Sequence, residues 1–190
     1  MDTIDQNLRA IRSLMERSTR FTSISGISGV LAGAYALAGA WAAEVYFLPA
    51  GAKGAMVFTA LLILSLALLT AGLLSYRNAR RHGERINSRP VRLLLSSLGL
   101  PLLAGGVFTL LLLEQGYLGL LSGSMLAFYG LALINASKYT AAYIKKLGVL
   151  QTALGLMAVA WPAHSLLLWS LGFGWLHIGF GFYVHWKHEP

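Results

Sequence analysis

His177 is the residue whose type and place most invite chemistry. It falls close to the middle of a membrane-length apolar stretch, where an ionisable side chain normally faces a bundle interior or a wet cavity. Turned at about 100° per residue, Ser170, Gly174, His177 and Gly181 share one helix face within about 60°, a candidate midplane polar site walled by small residues. Two roles are open to such an imidazole. It can titrate or contact a ligand, because an unperturbed histidine changes charge near about pH 6.5; or it can stay neutral and hydrogen-bond a neighbouring helix. A relay onward through His185 and His188 needs intermediates, since helical rise separates His177 from His185 by about 12 Å. A bis-histidine haem site needs a second midplane histidine, and the sequence has none.

A second constellation lies toward the opposite face of the membrane. Glu44, Glu114 and His164 are all expected near helix ends, and two carboxylates with an imidazole can hold a metal or accept protons. Their spacing matches no metal motif, so solvated interfacial groups are the plainer expectation, with Lys53 on the same face available to either glutamate. The chain has no cysteine, which removes disulfides, thiolate metal sites and thiol catalysis. It also lacks a phosphate-binding loop, a zinc-ligand cluster and paired catalytic carboxylates. No cofactor, no metal and no enzymatic activity are expected.

The elements that must position these residues follow from composition. With 190 residues, 56% hydrophobic, 12% charged and a mean hydropathy of +0.64, the chain belongs in a bilayer. About 20 helical residues cross the hydrocarbon, and six stretches qualify: Ile24 to Phe47, Ala55 to Tyr76, Leu93 to Leu113, Tyr117 to Ser137, Leu147 to Trp161 and Ser165 to Trp186. The first, preceded by an arginine-rich stretch, is expected to remain as an anchor rather than be cleaved. The expected fold class is all-α: a polytopic membrane protein with six transmembrane helices as three tandem hairpins (residues 21–190), preceded by a cytoplasmic amphipathic interfacial helix (residues 1–20) with Ile4, Leu8, Ile11 and Met15 on its apolar stripe.

The net charge of +8 does not indicate nucleic acid, because of where it falls. Arg9, Arg12, Arg17 and Arg20 precede the first span, and Arg77, Arg80, Arg81, Arg85, Arg89 and Arg92 separate the second from the third. Lys138, Lys145 and Lys146 separate the fourth from the fifth, and Lys187 follows the sixth. Lys53 is the cation left for the other side. Both termini are therefore expected in the cytoplasm, with the chain integral to a bacterial inner membrane. The loop over residues 77–92 is first a topology determinant and, beyond that, an expected contact for anionic lipid.

Each span carries two small residues seven apart, on one face, which lets a neighbouring backbone come close: Gly26/Gly33, Ser65/Gly72, Gly99/Gly106, Gly123/Gly130, Gly148/Gly155 and Gly172/Gly179. A shift of 49 residues places Gly99 on Gly148, Gly106 on Gly155, Gly123 on Gly172 and Gly130 on Gly179, so that the second and third hairpins read as parallel repeats. The run LGVLQTALGLMAVAWPAHSLLLWSLGFGWLHIGFGFYV, with Pro162 and Ser165 at its outer turn, resembles the hairpin of the six-span acid-resistance membrane proteins of the HdeD type. The resemblance implies a non-enzymatic inner-membrane stress protein. The sequence thus leads to a non-enzymatic membrane protein, linked to envelope or acid stress or acting as a partner subunit, with a homo-oligomer or another protein as its associate. The competing expectation is a small transporter or proton-coupled carrier using His177.

Overall fold

The computed structural model describes Gln6, residues 20–84 and residues 86–188; the expected amphipathic helix over residues 1–20 lies, but for Gln6 and Arg20, outside the described residues. The described chain is all-helical. Helix α1 runs Gly26–Phe47 and closes in a π turn over Ala43–Phe47; α2 is Lys53–Arg81, α3 Arg89–Glu114, α4 Leu118–Ala136 and α5 Tyr143–Ala160. The last helix, α6, spans Pro162–Lys187: a 3₁₀ turn over Pro162–His164, an α turn over Ser165–Trp169, a π segment over Ser170–Leu176, then α-helix again from His177.

Five of these six are long and apolar enough to cross a membrane, as expected of an integral membrane protein. The sixth, α5, has 18 residues. Lys145 and Lys146 in its first turn and Gln151 near its centre dilute its apolar content. Its buried positions Ile144, Leu147, Gly148, Gln151, Gly155 and Ala158 nevertheless form one stripe at helical spacing.

Local sequence explains where the helices stop. Three of the connections turn through a glycine with positive φ, Gly51, Gly83 and Gly116, which a side chain would resist. The break between α5 and α6 is at Trp161, whose φ of −126° suits a residue that precedes a proline. Arg80 and Arg81 end α2, where cations complement the helix dipole.

Packing is organised by two glycine seams. In the α4–α5 seam, Gly123 stands opposite Gly155 and Gly130 opposite Gly148. A Cβ at Gly123 would lie 2.9 Å from the Gly155 carbonyl oxygen, and one at Gly148 would lie 2.7 Å from that of Gly130. In the α1–α6 seam, Gly26 stands opposite Gly181 and Gly33 opposite Gly174, with 2.6 Å from a Gly33 Cβ to the Gly174 oxygen. Real Cβ atoms do not come this close, so both seams require glycine on each side.

The sequence places the α6 pair at Gly172/Gly179, and here the structure differs. A Cβ on Gly172 would meet Leu126 and Gln151, whereas one on Gly179 would meet nothing within 4 Å. Residues two apart on a helix point to roughly opposite sides, and here Gly172 faces α4 and α5 while Gly174 and Gly181 face α1. Gly72, Gly99 and Gly106 likewise have open space, and Ser65 is exposed with its hydroxyl bonded to its own helix at Leu61 O. In α3 the contact glycine is Gly105, set against Phe128 of α4.

Along their lengths α2 packs on α1 and α3 on α4. The two meet at their ends. At one end Lys53 Nζ donates to Leu113 O at 3.3 Å, so that lysine caps α3 rather than pairing with a glutamate. At the other end Ala79, Val91 and Leu94 form a buried cluster with Phe21 and Ala136. There the segment before α1 is pinned: Phe21 N–H donates to Tyr139 O at 2.9 Å and Thr140 Oγ1 to Phe21 O at 2.7 Å.

The seams yield a paired prediction. Gly155→Leu, which overfills a backbone contact, is expected to cost about 1–3 kcal/mol or more, while Gly179→Leu should stay within about 0.5 kcal/mol. Unfolding titrations in detergent measure both, and equal losses would contradict the seam assignment.

Candidate functional site

The π segment of α6 creates the site. Ordinary helix offers each carbonyl to residue i+4; π-helical winding offers it to i+5. Over Ser170–Leu176 this winding brings the Gly172 carbonyl level with the side chain of His177, whose Nδ1 lies 2.9 Å from Gly172 O. The absence of a side chain at Gly172 leaves room for Gln151 of α5, whose Nε2 donates to the same oxygen at 2.8 Å. From α4, Tyr129 Oη lies 2.9 Å from His177 Nε2. Three helices therefore converge on one imidazole. His177 is 7% exposed and Gln151 fully buried, so this polar knot is sealed by its neighbours.

The partners fix the tautomer. Gly172 O only accepts, so His177 carries its proton on Nδ1 and donates it there, leaving Nε2 to accept from the Tyr129 hydroxyl. With both lone pairs of the carbonyl used, by His177 and Gln151, every group in the chain Tyr129–His177–Gly172 is paired. The opposite tautomer would set Nδ1 against a carbonyl lone pair and leave the tyrosine proton without an acceptor among these groups. In this arrangement the 3.2 Å approach of Gln151 Nε2 to Nδ1 brings together two donors and is not a bond.

Aromatic rings build the wall around the knot. Phe173 stacks on His177 with ring centroids 5.9 Å apart and planes 15° from parallel; Tyr129 and Trp169 each lie 5.0 Å from Phe173. Trp169, Phe173 and His177 thus form a column at four-residue spacing along α6. Two polar atoms here make no hydrogen bond to the described residues: Gln151 Oε1, an acceptor, and Trp169 Nε1, a donor.

Of the expected midplane group, the structure brings only His177 into this knot. Gly174 and Gly181 belong to the α1 seam, where they meet Leu37 and Gly26, and Ser170 Oγ donates to Leu166 O within its own helix. The regular 100° projection fails because the π segment interrupts it. The outer-face residues are not assembled: Glu44, Glu114 and His164 are all exposed, and among the described residues no group of three His, Cys, Asp or Glu side chains could hold a metal.

Tyr129 was not singled out by sequence, although it precedes Gly130 and so sits at the α4 seam. Gln151 and Asn135 both bond between helices: Gln151 to Gly172 O of α6, and Asn135 Nδ2 donates to Ser97 O of α3 at 3.0 Å. An open depression of about 520 Å³ lies elsewhere, on α2, lined by Leu73, Tyr76, Arg77, Arg80 and Arg81. No known protein family, curated protein or solved structure matches this chain.

The pairing scheme predicts energetic coupling between α4 and α6. Tyr129→Phe alone is expected to cost about 0.6–2 kcal/mol, the range for interhelical hydrogen bonds in membranes. In a double-mutant cycle with His177→Phe, the second loss should shrink by about 1 kcal/mol. Strict additivity in the same unfolding assay would show that the two side chains do not interact.

Proposed function

We propose that this chain is a six-span, non-enzymatic membrane protein that works by association, as a self-assembling or partner subunit within the bilayer. The observation that carries the reading is the contrast between used and unused small-residue faces. Two glycine seams are consumed inside the chain, while Ser65/Gly72 on α2 and Gly99/Gly106 on α3 point away from their neighbours. Ser65 and Gly106 are as far from the intervening loop as Gly72 and Gly99 are in their turn, the same antiparallel register that the α4–α5 seam uses. Close backbone approach is what drives helix association where lipid and leucine are equally apolar.

Placement in the bacterial inner membrane with cytoplasmic termini is supported by the Lys and Arg asymmetry. A sixth crossing by α5 is supported by its antiparallel seat beside α4 and by its continuity with α6. A role in envelope or acid stress rests on the resemblance of the last hairpin to HdeD-type proteins. Bilayer lipid, with anionic lipid at residues 77–92, completes the expected company; nucleic acid does not belong to it.

A second reading, a proton-coupled carrier, is favoured by one observation: the buried Gln151 Oε1, without a hydrogen-bond donor among the described residues, next to the imidazole of His177.

Because the chain has no cysteine, single substitutions test association directly. Copies carrying Ser65→Cys, co-reconstituted with copies carrying Gly106→Cys, should form a disulfide between chains, and Gly72→Leu should suppress it several-fold. Failure to cross-link, together with a monomeric mass in detergent, would overturn self-association. For the carrier, His177→Phe should abolish pH-dependent proton flux into liposomes; unchanged flux removes His177 from any such mechanism.

A further inference from the structure

Helix α2 is longer than a bilayer needs. Its 29 residues extend about 43 Å at 1.5 Å per residue, against about 30 Å of hydrocarbon that about 20 residues cross. With Lys53 at one interface, the surplus falls on the last turns, from about Leu73 to Arg81. Those turns hold the open depression of about 520 Å³ formed by Leu73, Tyr76, Arg77, Arg80 and Arg81.

The five residues follow i, i+3, i+4, i+7 and i+8 spacing, which sets them on one face of the helix, apolar at its membrane end and cationic beyond. Leu73 is 63% exposed and Tyr76 48%, so the apolar part is open to lipid. The Arg80 guanidinium carbon lies 5.9 Å from the centroid of the Tyr76 ring, which steadies its plane. Among the described residues none of the three guanidiniums is in an ion pair. The acid nearest in sequence, Glu84, is turned toward the segment before α1, accepting from Thr22 Oγ1 at 2.8 Å.

We propose that this face binds one anionic phospholipid, with Arg77, Arg80 and Arg81 around its phosphate and an acyl chain along Leu73. Guanidinium forks match phosphate oxygens in pairs, and an aromatic ring at headgroup level suits the ester region. The site rests on the reading that α2 crosses the membrane with its arginine end in the headgroups. It differs from a diffuse polybasic contact because it assigns the ligand to three named side chains on one helix face.

Native mass spectrometry of the full chain in detergent tests it, with phosphatidylglycerol, phosphatidylcholine and inorganic phosphate as probes. The chain should retain one phosphatidylglycerol under activation that strips phosphatidylcholine. The triple variant Arg77→Gln, Arg80→Gln, Arg81→Gln should retain it about tenfold less. Because removing charge can also disturb insertion, the variant Arg77→Lys, Arg80→Lys, Arg81→Lys keeps every positive charge and should still lose about threefold, since an ammonium cannot form the paired contacts. The control Lys145→Gln, Lys146→Gln, two exposed cations at the start of α5, should bind as the unaltered chain does. Retention unchanged in the glutamine variant, or equal retention of phosphatidylcholine, overturns the site. Displacement of the lipid by inorganic phosphate at about millimolar concentration would make it a plain anion site and overturn the lipid assignment. Orientation is read separately by labelling Asn87→Cys in sealed vesicles: labelling from the cytoplasmic side without lipid retention sinks the site alone, whereas labelling from the opposite side sinks the orientation.

Discussion

Backbone-to-backbone contact between helices is the constraint on which this structure depends. In a membrane, apolar side chains gain little from leaving lipid, so helices adhere where they can come closest. Two seams supply that approach here, Gly123 and Gly130 with Gly148 and Gly155, and Gly26 and Gly33 with Gly174 and Gly181. The first locks two helices that are neighbours in sequence. The second joins the first described helix to the last, so that α1 is held to the α4–α5–α6 group through α6, with α2 packed on α1 and α3 on α4.

Helix α6 has to serve both seams, and this explains its irregular winding. Its early turns pack on α4 and α5, while its π segment and later turns pack on α1 as well, with Leu176 and Phe180 still touching the α4–α5 cluster. A regular helix meeting both partners would keep one register throughout. The π segment between Ser170 and Leu176 shifts that register and exposes the Gly172 carbonyl, which would otherwise lie within an ordinary i+4 ladder. A displaced carbonyl in a buried position must be satisfied, and His177 and Gln151 do so. The polar knot is thus a consequence of the change of partner. Its residues come from the three helices that meet at that change.

Much of the architecture was legible because glycine spacing and apolar runs act locally. The α1 and α4 pairs and the α5 pair could be read directly, since each lies on a helix of regular winding. Gly172/Gly179 could not, because α6 presents glycine on two faces and the heptad rule does not say which face meets a partner. Gly174/Gly181 obeys the same spacing and was grouped with His177 instead. Tyr129 was hidden for a different reason: a tyrosine at a helix seam is ordinary until a histidine 48 residues later is seen to need a donor. Residues far apart in sequence, brought together by a non-standard turn, leave no periodic signal. The outer group of Glu44, Glu114 and His164 shows the converse, since residues at the same depth need not lie side by side.

The distribution of polarity within the described chain also bears on where activity resides. The interior polar groups are few and mostly answered within the chain, with His177 held by a tyrosine on one nitrogen and a carbonyl on the other. An imidazole so placed stabilises the packing that provides both partners. The outer surfaces are where valence is left over. The small-residue faces of α2 and α3 are open, and the three guanidiniums at the end of α2 stand beside exposed Leu73 and Tyr76. These flank groups are the ones the proposed association with lipid and with another membrane helix would use, whereas in the interior Gln151 Oε1 and Trp169 Nε1 alone of the knot's polar atoms stay without a partner among the described residues.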